Sequence, residues 1–222
     1  MYESLALEHS STVDRAAEVL RQALFAGDLA PGTPLREIAL ADQLGVGRSS
    51  VREALGVLIA EGLVTRIPNR GVVVTELDPE QIHDVVAVRL VLETAGAHAW
   101  IGATDEARGA VRSAMADYRH LAQVGAEARQ ITEAHLAFHR SLVALTGSRR
   151  LVAVADQVTA EIRLALAHLD RLRLNAAEQV TDHQRLLDML EDGDTEGVAT
   201  ELVAHLADAE SSLVETLYVP EG

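Results

Sequence analysis

The 222-residue chain has no cysteine and no lysine, 3% aromatic residues, and no apolar run near the roughly 18 residues that cross a bilayer. Each shortage excludes something. Without cysteine there is neither a disulfide nor a thiolate metal site. With so few aromatic rings, a core drawn from the 48% hydrophobic residues is built of Leu, Val, Ile and Ala, a composition that suits packed helices. The first residues, MYESLALEHSS, lack the basic and apolar regions of a secretion signal, so a soluble cytoplasmic chain with no membrane partner is expected. All 19 basic residues are arginine; a compositional bias explains that as well as any function does.

Positive charge is scarce overall, and the net charge is −15. Residues 1–76 hold 7 Arg and 10 acids, whereas residues 77–222 hold 12 Arg and 24 acids. Within 36–70 the balance reverses, with 5 Arg against 4 acids. Non-specific attraction to phosphate should therefore be weak, and any DNA binding would lean on geometry and on a dimer.

The locally positive stretch is patterned. In LGVGRSSVREALGVLIAEG (44–62), Val51, Ala54, Leu55 and Leu58 recur at helical spacing and make one buried face. Arg48, Ser49, Arg52 and Gly56 form another strip, with two guanidinium groups, a hydroxyl and no bulky apolar group. Such a helix fits a DNA major groove; taken alone, it fits a solvated surface helix equally well. Its neighbours favour the groove. A first helix is predicted over 12–26 and a short one over 36–44, joined by Gly45-Val46-Gly47 to the patterned helix, which makes a helix-turn-helix. LVTRI (63–67) and GVVVT (71–75) then read as strands flanking Pro68-Asn69-Arg70, with Asn and Gly where positive φ is cheapest. That hairpin is a wing carrying Arg66 and Arg70, and Arg70 at its tip either reaches the minor groove or merely caps a small core.

These residues carry a resemblance. The segment from Asp28 to Val74, with its LGV, R-x-x-V-R-E-A-L, EGLV and P-N-R-G motifs, is similar to the winged helix-turn-helix of the GntR family of bacterial transcription regulators. The resemblance implies DNA contacts at Arg48, Ser49, Ser50, Arg52 and Gly71, with Arg70 beside it. The chain departs from the family pattern at Gly47, where a Ser or Thr is usual, at Ser49-Ser50 in place of Thr-Pro, and at Ile38, where relatives place a phosphate-contacting Arg. Arg36 is the candidate substitute for that last contact.

From Asp78-Pro79, a cap-and-first-turn pair, no strand pattern occurs. Six helices are predicted, over 79–101, 104–123, 127–146, 149–173, 176–191 and 195–217, and their short links imply an antiparallel bundle. The expected fold is mainly α, with a winged helix-turn-helix at 1–76 and an all-helical effector-binding and dimerisation domain at 77–222.

Four of the nine histidines lie on apolar faces. His135 and His139 share a face with Phe138 and Leu142. His183 aligns with Leu186, Leu187 and Leu190, and His205 with Val198, Leu202, Ala209 and Leu213. One buried histidine is ordinarily a satisfied core residue. Several imidazoles facing one interior need partners, and a shared Zn²⁺ or similar ion would be one. The helical half resembles the FCD ligand-binding domain of the FadR branch, through A-F-H-R-S-L, D-H-Q-R-L-L-D-M-L-E-D-G-D and A-H-L; six helices match the shorter, VanR-like subgroup. The resemblance implies an Asp and three His around a metal, the three falling on His139, His183 and His205. His135 occupies the Asp position. It either completes a site of four neutral ligands, favouring Zn²⁺ or Ni²⁺ and an anionic effector, or does not ligate. Arg89 either meets a carboxylate effector or pairs with Glu93 four residues on.

Three functions compete. The first is a homodimeric regulator, a repressor in its expected sign, that reads a short inverted repeat in double-stranded DNA and senses a small organic acid. The second is a regulator that responds to metal alone. The third is a metal-dependent hydrolase, which an H-E-x-x-H pattern would support; none occurs, and Glu133 is predicted to face away from His135. No enzymatic activity is expected.

Overall fold

The computed structural model describes residues 11–169 and 176–218, and the chain divides into two compact units at Glu76/Leu77. The first unit begins with α1 (Thr12–Phe25), closed at its start by a reciprocal capping box between Ser11 and Asp14. Its buried residues Ala16, Ala17, Leu20 and Leu24 recur at helical spacing, and the two alanines pack against Ala54. A two-residue strand β1 (Pro34–Leu35) precedes α2 (Glu37–Leu44). Gly45 ends α2 in the left-handed conformation, φ 65°, which lets the chain turn at once into α3 (Arg48–Ala60). Val51, Ala54, Leu55 and Leu58, all fully buried, fasten α3 to the core.

Strands β2 (Val64–Ile67) and β3 (Gly71–Val74) pair antiparallel with Ile67 opposite Gly71. The turn between them needs positive φ twice, and Asn69 (62°) and Gly71 (88°) supply it. The sheet order is β1-β3-β2, with Leu35 opposite Val72. β1 was not expected from the sequence, because two residues are too few to show an alternating pattern.

The second unit is a bundle. Its described helices are α4 (Pro79–Ala99), α5 (Asp105–Gln123), α6 (Ala128–Ala144), α7 (Arg149–Leu169), α8 (Ala176–Glu191) and α9 (Thr195–Tyr218), and a 3₁₀ turn at Trp100–Gly102 extends α4. The end of the helix expected over 149–173 lies outside the described residues. The capping box at Asp78 and Gln81 starts α4 where the sequence signals it, and the Thr104 hydroxyl caps α5 one residue past the expected start. One core cluster gathers Trp100, Met115, Tyr118, Phe138, Leu142, Leu186, Leu190 and Leu202. A second gathers Ile82, Val85, Leu136, Val158, Ile162 and Leu213.

α4 and α6 cross in contact at Gly96, where a Cβ would fall on the Leu142 carbonyl. The stretch Pro79–Gly102 is, against the expectation of no span-length apolar segment, long and apolar enough to cross a membrane by length and composition alone. Its inner face supplies Ile82, Val85, Val86, Leu92 and Ala97 to the bundle, and the face also buries Arg89 and Glu93, so here it is a core helix.

Candidate functional site

Four histidines meet inside the bundle. His135 and His139 come from α6, one turn apart, His183 from α8 and His205 from α9. His135, His139 and His183 are buried and His205 is half-buried, with one potential ligand nitrogen from each lying within 4.8 Å of the others. His139 Nε2 is 3.0 Å from His135 Nε2 and 2.9 Å from His183 Nε2. Tyr118 and Phe138 wall the cluster with ring contacts of 5.4 to 5.7 Å.

The outer nitrogens determine what the inner ones are. His139 Nδ1 lies 2.7 Å from Glu93 Oε2, and His183 Nδ1 lies against the Gln179 carbonyl oxygen. A carbonyl only accepts, and so does an ionised carboxylate, so both Nδ1 atoms donate. In a neutral imidazole that leaves Nε2 as a bare lone pair. The two Nε2 lone pairs then face each other at 2.9 Å. Protonation is a poor escape. Burial, then the charges of Arg89, His183 and His205, hold His139 well below 6.5. Burial and His205 push His183 down to about 3. His205 is lowered too, chiefly by burial. Neutral, inward-facing nitrogens are the ligand form of histidine. Zinc with bonds of about 2.0–2.1 Å holds its nitrogens about 3.3 Å apart in a tetrahedral site, which lies between the 2.9 and 3.0 Å of the two contacts at His139 Nε2 and the 4.8 Å that bounds the whole cluster. The residues present fit such an ion.

Arg89 and Glu93 are both nearly solvent-free and pair one turn apart on α4, Nε to Oε1 at 2.8 Å. Arg89 Nη2 is buried with no hydrogen-bond partner. Arg89, Glu93, His139 and Arg140 line a cavity of about 10 Å³, which has room for roughly one water. Glu133 is half-exposed and pairs with Arg129 and Arg163, away from the histidines as expected. Glu93 is the carboxylate that the sequence reading did not connect to the cluster. Its signal was a charge on the inner face of an apolar helix, a position that demands a buried partner.

In the first unit, Arg36, Arg48, Ser49, Arg52, Arg66, Arg70 and Gly71 are exposed and Ser50 is half-buried. Gly47 leaves the start of α3 without a side-chain cap, so first-turn N–H groups lack that partner. Arg52 is held by Glu37 of α2, through Nε at 3.1 Å and Nη2 at 2.8 Å. The Arg52 hydrogen bond, then the charges of Arg52, Arg48 and Arg66, keep the Glu37 carboxyl below its usual range. Glu37 was not expected at this surface. Arg36 is the residue that precedes α2, and its side chain makes no capping bond.

An arginine-bearing helix-turn-helix with a wing, followed by a helical bundle with a buried histidine cluster, has the features of a DNA-binding unit joined to a ligand-binding one. The chain belongs to the gntR family of bacterial regulatory proteins, in the branch with an FCD domain: residues 12–74 match the family model "Bacterial regulatory proteins, gntR family", and residues 84–208 match the FCD domain. It is 31% identical, over 84% of this chain and 78% of the other, to an HTH-type transcriptional regulator in an unstable DNA locus of Streptomyces ambofaciens. It is 38% identical, over 42% of this chain and 38% of the other, to the gluconate operon transcriptional repressor of Bacillus subtilis. A solved GntR structure from Rhodococcus sp. RHA1 superposes with a TM-score of 0.80 at 29% identity, covering 91% of this chain and 97% of that one. The chain is therefore a DNA-binding transcription regulator and not an enzyme.

Proposed function

We propose that this regulator is a cytoplasmic homodimeric repressor that reads a short inverted repeat through α3 and the wing. Its helical unit holds a divalent metal and senses a small carboxylate. Arg48 and Arg52 present guanidinium forks for base edges, while Ser49, Ser50 and the uncapped N–H groups of α3 suit phosphate. Glu37 pre-orients Arg52, and Arg36, Arg66, Arg70 and the Gly71 backbone lie outside the helix as further phosphate or minor-groove contacts. Dimerisation is supported by an apolar strip: Ala87, Val91 and Ala95 are exposed on one face of α4, with Val91 69% accessible.

The observation that carries the metal is the pair of Nε2 lone pairs, 2.9 Å apart and fixed by acceptors on the far side of each ring. His135, His139, His183 and His205 would hold the ion, with Zn²⁺ the best match to four neutral nitrogens and Ni²⁺ the next. Bound there, it supplies a double positive charge to attract an anion. Arg89, with a free buried Nη2, is the second cationic contact for a carboxylate. The effector biases one arrangement of the dimer and so changes operator affinity. The name of the gluconate operon transcriptional repressor of Bacillus subtilis supports repression as the sign.

One observation favours a second reading, in which metal alone is the signal: the cavity beside Arg89 holds about one water and no organic acid without movement. A thermal-shift panel separates the two. Metal-loaded and chelated protein are heated with and without small carboxylic acids, and a ligand of the folded state raises Tm as RT ln(1 + [L]/Kd). An acid that stabilises only loaded protein supports the carboxylate sensor. Stabilisation by metal with no response to any acid supports the second reading. No response to metal sinks both.

A further inference from the structure

We infer that Glu93 is a positioning residue for the histidine site: from α4 it fixes the ring of His139 and supplies, one hydrogen bond removed, the negative charge that His135 leaves out of the ligand set. The inference rests on the metal reading above and deepens it, from Glu93 as the acceptor of one imidazole N–H to Glu93 as a determinant of metal affinity.

Glu93 is 2% exposed, and both its oxygens are committed, Oε1 to Arg89 Nε at 2.8 Å and Oε2 to His139 Nδ1 at 2.7 Å. The two contacts fix different things. Arg89 sets the direction of the carboxylate on its own helix. The carboxylate sets the rotation and tautomer of a ring on another helix, 46 residues away in sequence. With Nδ1–H donated outward, only Nε2 of His139 is left to face His135 and His183, and these are the atoms that converge. A carboxylate on the outer nitrogen also makes the imidazole a stronger donor to a cation. His183 has only a neutral acceptor in the same role, the Gln179 carbonyl. His139 therefore has a carboxylate on its outer nitrogen where His183 has a carbonyl, and it neighbours both other buried histidines.

The arrangement also explains how a four-histidine set is tolerated. A carboxylate ligand would bring its charge into direct contact with the ion. Here the same charge sits behind His139, where Arg89 partly balances it.

The test is Zn²⁺ affinity, measured by competition with a chromophoric chelator on the full chain. Glu93→Gln keeps the size of the side chain and removes its charge. It also strands Arg89 in the interior, so Arg89→Met/Glu93→Gln is measured beside it. Both are expected to raise the Zn²⁺ Kd by about 10- to 100-fold. A long-range ¹H–¹⁵N spectrum of wild-type, metal-free protein gives a readout that needs no variant: His139 is expected with its proton on Nδ1. Wild-type affinity in both variants, or a proton on His139 Nε2, overturns the role of Glu93 while the metal site stands. Wild-type protein that takes up no Zn²⁺ overturns the metal reading and this inference with it.

Discussion

Two imidazole lone pairs facing each other across 2.9 Å set the first prediction, which belongs to single residues. In metal-free protein His139, His183 and His205 are all held below the ordinary imidazole value, His183 at about 3, and burial is the leading cause in each. Unfolded, each titrates near 6.5. Between those values the unfolded chain binds protons that the native chain refuses, so stability falls as pH drops below about 6.5 toward 3. The expected slope is about 1.4 kcal/mol per pH unit for each imidazole inside its window. Urea midpoints in chelator at pH 8, 6 and 5 measure it, and a flat profile would contradict burial of neutral rings. Replacing His139 with Ala should abolish the thermal shift on adding Zn²⁺; an undiminished shift would place the ion elsewhere.

At the scale of an element, the proposed function divides the work on DNA between α3 and the wing. Arg48→Ala removes a fork at the start of the reading helix and should cost about 1–3 kcal/mol, with relaxed preference at one base pair. Arg70→Ala should instead weaken all sequences alike and lower the slope of log K against log salt by about one. Fluorescence anisotropy over a salt series distinguishes them, and identical behaviour of the two variants would undo the assignment. In the bundle, the tightest demand is at Gly96. An added methyl must push α4 from the Leu142 carbonyl of α6, so Gly96→Ala should destabilise by about 1–3 kcal/mol or more. An unchanged urea midpoint would show that the crossing can open freely.

For the whole molecule, the acidic charge and the short reading surface make one protomer a weak DNA ligand. In the proposed dimer, two protomers on an inverted repeat would add their contacts, and the apolar strip on α4 would hold them together. Val91→Glu puts a charge in the middle of that strip, at an exposed site where folding tolerates it. Sedimentation should show monomer, and operator affinity should fall by well over tenfold even though no DNA contact was changed. Dimers of this variant with wild-type affinity would move the interface elsewhere.

Local signals made most of the architecture readable in advance. Apolar residues at helical spacing, Asn69 and Gly71 at a hairpin turn, and the cap at Asp78 act within a few residues, so the sequence alone determined the helix-turn-helix, the wing and the helices of the bundle. Spacing also showed that His135, His139, His183 and His205 face inward. It cannot show how far one helix is rotated or slid against the next. That depends on crossings such as Gly96 against Leu142, where backbone contact sets the register of α4 on α6. Only the tertiary structure paired β1 with β3, brought Glu37 to Arg52 and set Glu93 behind His139. Each of these joins groups distant in sequence through one hydrogen-bonded contact, and the period of a helix or strand carries no information about such a contact.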